Sequence, residues 1–315
     1  MWLPGPSSTL PCTYRRRGIT VGDVGIFTAS GGFDFFFNIT LPANHPINQQ
    51  GLPEGFSPLF PTLQSSDIHR HMEFNRNSYL LSASVEKFHE NDSSYDCLLS
   101  NKCPKLTIGY RRITFESSAS EGAILVMPQG AYAEDLANVS RFRQYLSANA
   151  ESWYRYVNDV RGREARNGDV RLVVGCDKTS SWGMATFKDS TARDFHLKFK
   201  PTDRGGSTRT CGWEYSGMIE ARVAPDPEDM VELRTTDDSG HLGRNLCLFA
   251  RTLNATLRDD VWQGLGFDFE TVKSSSPVYI PDFNTILVSN FSPLPPSPSL
   301  TRLLIVLRPA THRRR

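Results

Sequence analysis

Alternation with a period of two is the feature that most constrains this chain. After Ser30-Gly31-Gly32, the residues Phe33, Phe35, Phe37 and Ile39 alternate with Asp34, Asn38 and Thr40. Successive strand residues point to opposite faces, so such a run builds a half-buried strand. The two glycines supply the positive φ of a tight turn, and Ile19 to Thr28 is therefore expected to pair with the Phe run as a hairpin. Phe36 falls on the polar side and is expected beneath the Pro-rich loop from Leu41 to Pro61. The same alternation recurs where Phe195, Leu197 and Phe199 face His196, Lys198 and Lys200. Cys211, Trp213, Tyr215, Gly217, Ile219 and Ala221 form another period-two set. Further strands are expected at Ser78 to Phe88, Leu106 to Glu116, Gly122 to Met127, Val170 to Cys176, Trp182 to Phe187 (returning as the hairpin partner of the strand before it) and Leu246 to Leu257.

One segment breaks the alternation. From about 134 to 160, Val139, Phe142, Leu146, Ala150, Trp153, Val157 and Val160 recur at steps of three and four, which is one apolar stripe of a helix. The expected fold class is α+β, a mainly antiparallel sheet with one long core helix. Residues 1–17 are Pro/Ser-rich and then basic, and read as an irregular lead-in. Residues 18–272 read as a single β-rich domain. Residues 273–315 form a Pro/Ser-rich basic tail, expected to be disordered because it has too few apolar residues to offset the cost of ordering. No internal repeat is apparent.

With 315 residues, 39% of them apolar, the chain can build a core without disulfides or metals. A net charge of +1 offers no long-range attraction to nucleic acid or anionic lipid. Arg15-Arg16-Arg17 and Arg313-Arg314-Arg315 are local exceptions and are expected to be solvated. The six cysteines are spread too sparsely for a secreted disulfide framework. Sequons begin at Asn38, Asn91, Asn138, Asn254 and Asn290. No apolar export segment opens the chain, however, so a cytoplasmic location with reduced thiols is expected. No apolar run is long enough to span a bilayer.

The strongest local feature is Gly175-Cys176-Asp177-Lys178-Thr179-Ser180-Ser181-Trp182-Gly183. As an enzyme site, Cys176 would be a nucleophile activated by Lys178, with His196 as base and Asp194 as its orienter. As structure, Cys176 is the last buried strand residue, and Asp177 to Ser181 is the polar turn that follows it. The composition suits the turn, and that is the expectation adopted. His69 and His71, with His89, lack a third ligand at a recognised spacing. Asp226, Glu228, Asp229 and Glu232 lack the spacing of a calcium loop. There is no GxSxG, HExxH, CxxC or phosphate-loop motif. No cofactor or metal is expected.

Several strings together resemble an uncharacterised protein family of mushroom-forming (basidiomycete) fungi. They include Gly22-Asp23-Val24-Gly25, Phe37-Asn38-Ile39, His45-Pro46-Ile47-Asn48, Gly122-Ala123-Ile124-Leu125, Trp153-Tyr154, Val157-Asn158 and Gly175-Cys176-Asp177-Lys178-Thr179 with Trp182-Gly183. The likeness runs from about residue 2 to 262, and the tail departs from it. It implies a fungal, intracellular origin and brings no activity with it.

The function expected from all this is non-enzymatic recognition or interaction with a protein or small ligand. One alternative is a pore-forming or membrane-acting protein whose β-hairpins refold into a bilayer. The other is a cysteine-dependent enzyme centred on Cys176.

Overall fold

The computed structural model describes residues 3–88, 113–117, 120–188, 197–202, 210–225 and 243–267. The expected tail, the acidic turn, His89, Asp194, His196, Cys97 and Cys103 lie outside them. The protein is α+β: mainly antiparallel sheets and one long helix.

The lead-in is more ordered than its composition suggests. Cys12–Arg17 forms a short helix, α1, that buries Tyr14 and Arg15. Of the basic triplet, Arg15 is buried and Arg17 lies 2.6 Å from the Asp23 carboxylate. Two strands follow, β1 (Asp23–Phe27) and β2 (Phe33–Asn38), paired as the expected hairpin. Their register shifts between Val24 and Gly25, so that Val24 faces Phe37 and Gly25 faces Phe35. This bulge divides the Phe run. Phe33 and Phe35 enter one core cluster, whereas Phe36, Phe37 and Ile39 enter another. The expected common face is thereby corrected, since an extra residue in one strand reverses the facing of everything beyond it. Phe36 is fully buried, with the Tyr156 ring edge-on and the Arg161 guanidinium 5.7 Å from its centroid.

Twelve further strands among the described residues make two long hairpins, each bent twice. The first comprises β3 (Ile68–Phe74), β4 (Ser78–Leu81), β5 (Val85–Phe88), β6 (Ile113–Ser117), β7 (Gly122–Met127) and β8 (Ala131–Leu136). Within it β3 pairs with β8, β4 with β7 and β5 with β6. The second comprises β9 (Arg171–Thr179), β10 (Trp182–Phe187), β11 (Leu197–Thr202), β12 (Thr210–Tyr215), β13 (Ile219–Ala224) and β14 (Leu246–Asn254). Here β9 pairs with β14, β10 with β13 and β11 with β12. The hairpins join side by side through β8–β9, β7–β10 and β6–β11. The result is a four-stranded ribbon folded into three sheets, with β1–β2 added beside β9. A repeat that the residues do not display is thus present in the topology.

The bends explain several departures from expectation. Ser82–Ser84 divides the expected strand from Ser78 to Phe88, and Gly217 divides the Cys211 to Ala221 set. Trp182 to Phe187 leaves the sheet of β9 and pairs with β7 and β13 instead of folding back. Three apolar clusters hold the layers together. One joins the first sheet to the long helix, one joins the first and second sheets, and one joins the second and third. Along β7, Leu125 and Met127 enter one cluster while Ile124 and Val126 enter the next, so the second sheet is apolar on both faces. Gly183 permits the close approach of the third sheet, because a Cβ there would lie 2.3 Å from the Phe199 ring.

The long helix, α2 (Val139–Arg155), continues through a wider turn at Tyr156–Val160. It starts later than expected, because Ala131–Leu136 is strand β8 and Asn138 caps the helix by accepting a hydrogen bond from the Ser140 N–H at 3.1 Å. Phe142, Leu146, Ala150, Trp153 and Val157 are buried as the stripe implies, but the wide turn leaves Val160 exposed. A further short helix, α3 (Asp259–Gly264), lays Trp262 edge-on against Tyr154.

Candidate functional site

Strand β9 is the axis of the first sheet. It pairs with β14 along one edge, and with β1 and then β8 along the other. A strand with partners on both edges and cover on both faces reads as a continuous apolar run, as Leu172 to Gly175 does. The polar residues that follow do not form a turn. Cys176, Asp177, Lys178 and Thr179 all lie in the strand and are buried, and only Ser180 and Ser181 separate it from β10. The expectation of a polar turn from Asp177 to Ser181 is therefore corrected. Buried polar groups require partners, and these come from β8, β14 and the lead-in.

On one face of the sheet, Cys176 lies opposite Glu134, and Lys178 shares that face two residues on. Lys178 Nζ is 3.1 Å from Glu134 Oε2, and Arg70 Nε is 3.3 Å from Glu134 Oε1. The Thr20 hydroxyl donates to Glu134 at 3.3 Å. Burial alone would raise the Glu134 carboxyl, but Lys178, with Arg70, brings it below the ordinary glutamate range. The Cys176 thiol donates to the Ile19 carbonyl at 3.5 Å, and its sulfur is 3.9 Å from Glu134 Oε2. Cys247 of β14 lies opposite Lys178, and its thiol donates to the Phe249 carbonyl at 3.3 Å.

The opposite face carries an ion triad. Asp135, Gly175 and Arg251 are aligned across β8, β9 and β14. Arg251 bonds Asp135 through Nε at 2.5 Å and Asp177 through Nη1 at 2.8 Å. Gly175 makes room for it: a Cβ there would lie 2.6 Å from Arg251 Nε. Burial works against the guanidinium charge, but Asp177 and Asp135 outweigh it and hold the group protonated.

Cys176 and Lys178 thus share a face, with Lys178 committed to Glu134 and Cys176 sealed beneath Ile19. Asp177 points away from them. His69 and His71 lie exposed on the edge strand β3, His71 paired with Glu73 at 3.0 Å. No group of three metal-ligating side chains gathers among the described residues. Glu134, Cys247 and Arg251 were not anticipated. The available signal was the long unalternating run ahead of Asp177, which marks a doubly covered strand whose polar end must find distant partners. The arrangement can neutralise charge inside a sheet and places two buried cysteines in one core cluster. No family model, curated protein or solved structure matches the chain.

Proposed function

We propose that the chain is a non-enzymatic, intracellular recognition or interaction domain. What carries this reading is the contrast between the inside and the outer corner of the ribbon. The chemistry-bearing side chains of β9 are turned inward onto one another. At the β12–β13 corner, in contrast, Tyr215 is 46% exposed and Met218 75% exposed. Tyr and Met are enriched at contact surfaces because they offer large apolar area with an adaptable or polar end. The test is affinity capture from a basidiomycete lysate, the source that the family resemblance points to, with the wild-type chain and a Tyr215→Ser/Met218→Ser variant. A partner held by the wild type and lost from an equally folded variant supports the reading. A partner held equally by both removes the corner from it.

The ribbon favours a second reading, action on a membrane by opening of the hairpins. Along β11 to β13, Leu197, Phe199, Cys211, Trp213, Ile219 and Ala221 alternate with Lys198, Lys200, Glu214, Glu220 and Arg222. This is the pattern of a bilayer-crossing strand. No helix among the described residues is long and apolar enough to cross. Dye release from liposomes on addition of the protein supports this second reading, and intact liposomes count against it.

A further inference from the structure

Two cysteines meet inside the first sheet. Cys176 of β9 faces Ala250, and Cys247 of β14 faces Lys178. The register shifts between Cys247 and Phe249, and Cys247 lies diagonally across from Cys176, two residues from its partner Lys178 and on the same face of the sheet. Both side chains are fully buried in the same core cluster, and neither is in a disulfide. Cys247 Sγ lies 3.3 Å from the Phe249 carbonyl oxygen, and Cys176 Sγ lies 3.5 Å from that of Ile19. The lead-in covers the pair: the Cys247 N–H donates to the Pro4 carbonyl at 2.9 Å.

A disulfide spans Cα atoms about 4.4–6.8 Å apart, and diagonal neighbours on paired strands lie about 7–8 Å apart, so a slight shift of β14 along β9 lets this pair bridge. We infer that Cys176 and Cys247 form an oxidisable dithiol, which hydrogen peroxide converts into a disulfide joining β9 to β14. The Cys176 sulfur attacks one peroxide oxygen as its thiol proton leaves. The O–O bond breaks, and the departing hydroxide takes up the thiol proton as water, leaving Cys176 as a sulfenic acid. The Cys247 sulfur then attacks the Cys176 sulfur. The S–S bond forms as the S–O bond breaks, and the Cys247 proton leaves with the hydroxyl as a second water. One peroxide is reduced to two waters while two thiols are oxidised to one disulfide.

The order follows from the surroundings. Cys176 shares its face with the Lys178–Glu134 pair. The neighbouring Cys176, with burial, pushes the Cys247 thiol well above its ordinary value, so Cys247 keeps its proton until the second step. Access is governed by the lead-in, which Tyr14 anchors through Asp23 and Asn245 anchors through the Arg15 carbonyl. Oxidation is therefore slower than that of the exposed Cys12.

The full wild-type chain, exposed to hydrogen peroxide in native buffer, is alkylated and digested without reduction, and its peptides are weighed. The expected product is a Cys176–Cys247 peptide pair two hydrogens lighter than the separate thiols and more abundant than any other pair. The oxidised protein is also expected to melt higher than the reduced one, since the bridge restricts the unfolded chain. Overoxidised Cys176 beside an unmodified Cys247 would overturn the proposal. So would bridges to Cys97 or Cys103 in equal yield, or the same selectivity when the chain is oxidised in guanidinium.

Discussion

Strands β3 and β9 occupy equivalent places, each opening one bent hairpin of the ribbon and each paired with that hairpin's last strand. Their fates differ. β3 lies at the ribbon edge, where His69, Arg70, His71 and Met72 are all exposed. β9 lies in the middle, and Leu172 through Thr179 are all buried. Topology is therefore a poor guide to chemistry here, and lateral position decides it. The same polar content that is a solvated, aggregation-resisting edge on β3 becomes on β9 a set of buried charges that must be neutralised by neighbours.

The difference predicts a ladder of stabilities. Arg251→Ala should cost about 3–5 kcal/mol, because it removes the buried cation that neutralises the buried Asp177 carboxylate. That is as large as the roughly 3–5 kcal/mol expected of Trp153→Ala in the helix core. Urea denaturation of the two variants against the wild type measures both, and an Arg251→Ala protein as stable as its parent would break the comparison. Lys178→Ala should cost about 1–3 kcal/mol, since it deprives a partly buried carboxylate of its closest cation. Arg70→Ala on the edge strand, removing the other cation from the same Glu134, should cost less than about 1 kcal/mol. Equal effects from the two would mean that β9 is no more enclosed than β3.

Acid sharpens the same point. The Glu134 carboxyl titrates below its ordinary value of 4.5 in the folded state. Its stabilisation is therefore present above the unfolded value and is lost as pH falls through the folded one. Melting temperatures across that window should fall more steeply for the wild type than for Glu134→Gln, and identical slopes would remove Glu134 from the account. The smallest effect is expected of His71→Ala, within about 0.5 kcal/mol at neutral pH, as for other exposed positions. A larger loss in the same urea experiment would make β3 more than a solvated edge.

Alternation made the strands legible, and the three-four spacing made the helix legible through Trp153. The bulge that separates Phe35 from Phe37 was not legible, because it depends on how β1 pairs and not on the run itself. Glu134-Asp135-Leu136 resembles a helix start, yet its partners on β9 make it strand. Asp177-Lys178-Thr179 has the composition of a turn, and distant partners, among them Arg251, 74 positions from Asp177, and Glu134, make it tolerable inside a sheet. Windows along the chain see local preference, whereas the neutralisation of buried charge is settled by strands that meet only after folding.

The central claim is that Cys176 to Thr179 belong to an enclosed strand and not to an exposed, reactive turn. Brief iodoacetamide treatment of the native protein, followed by mass spectrometry of each cysteine, tests it most directly. A thiol enclosed away from the reagent alkylates slowly. Cys12, which is exposed, should label first, and Cys176 and Cys247 should label only on denaturation. Labelling of Cys176 ahead of Cys12 in the native protein would contradict the account.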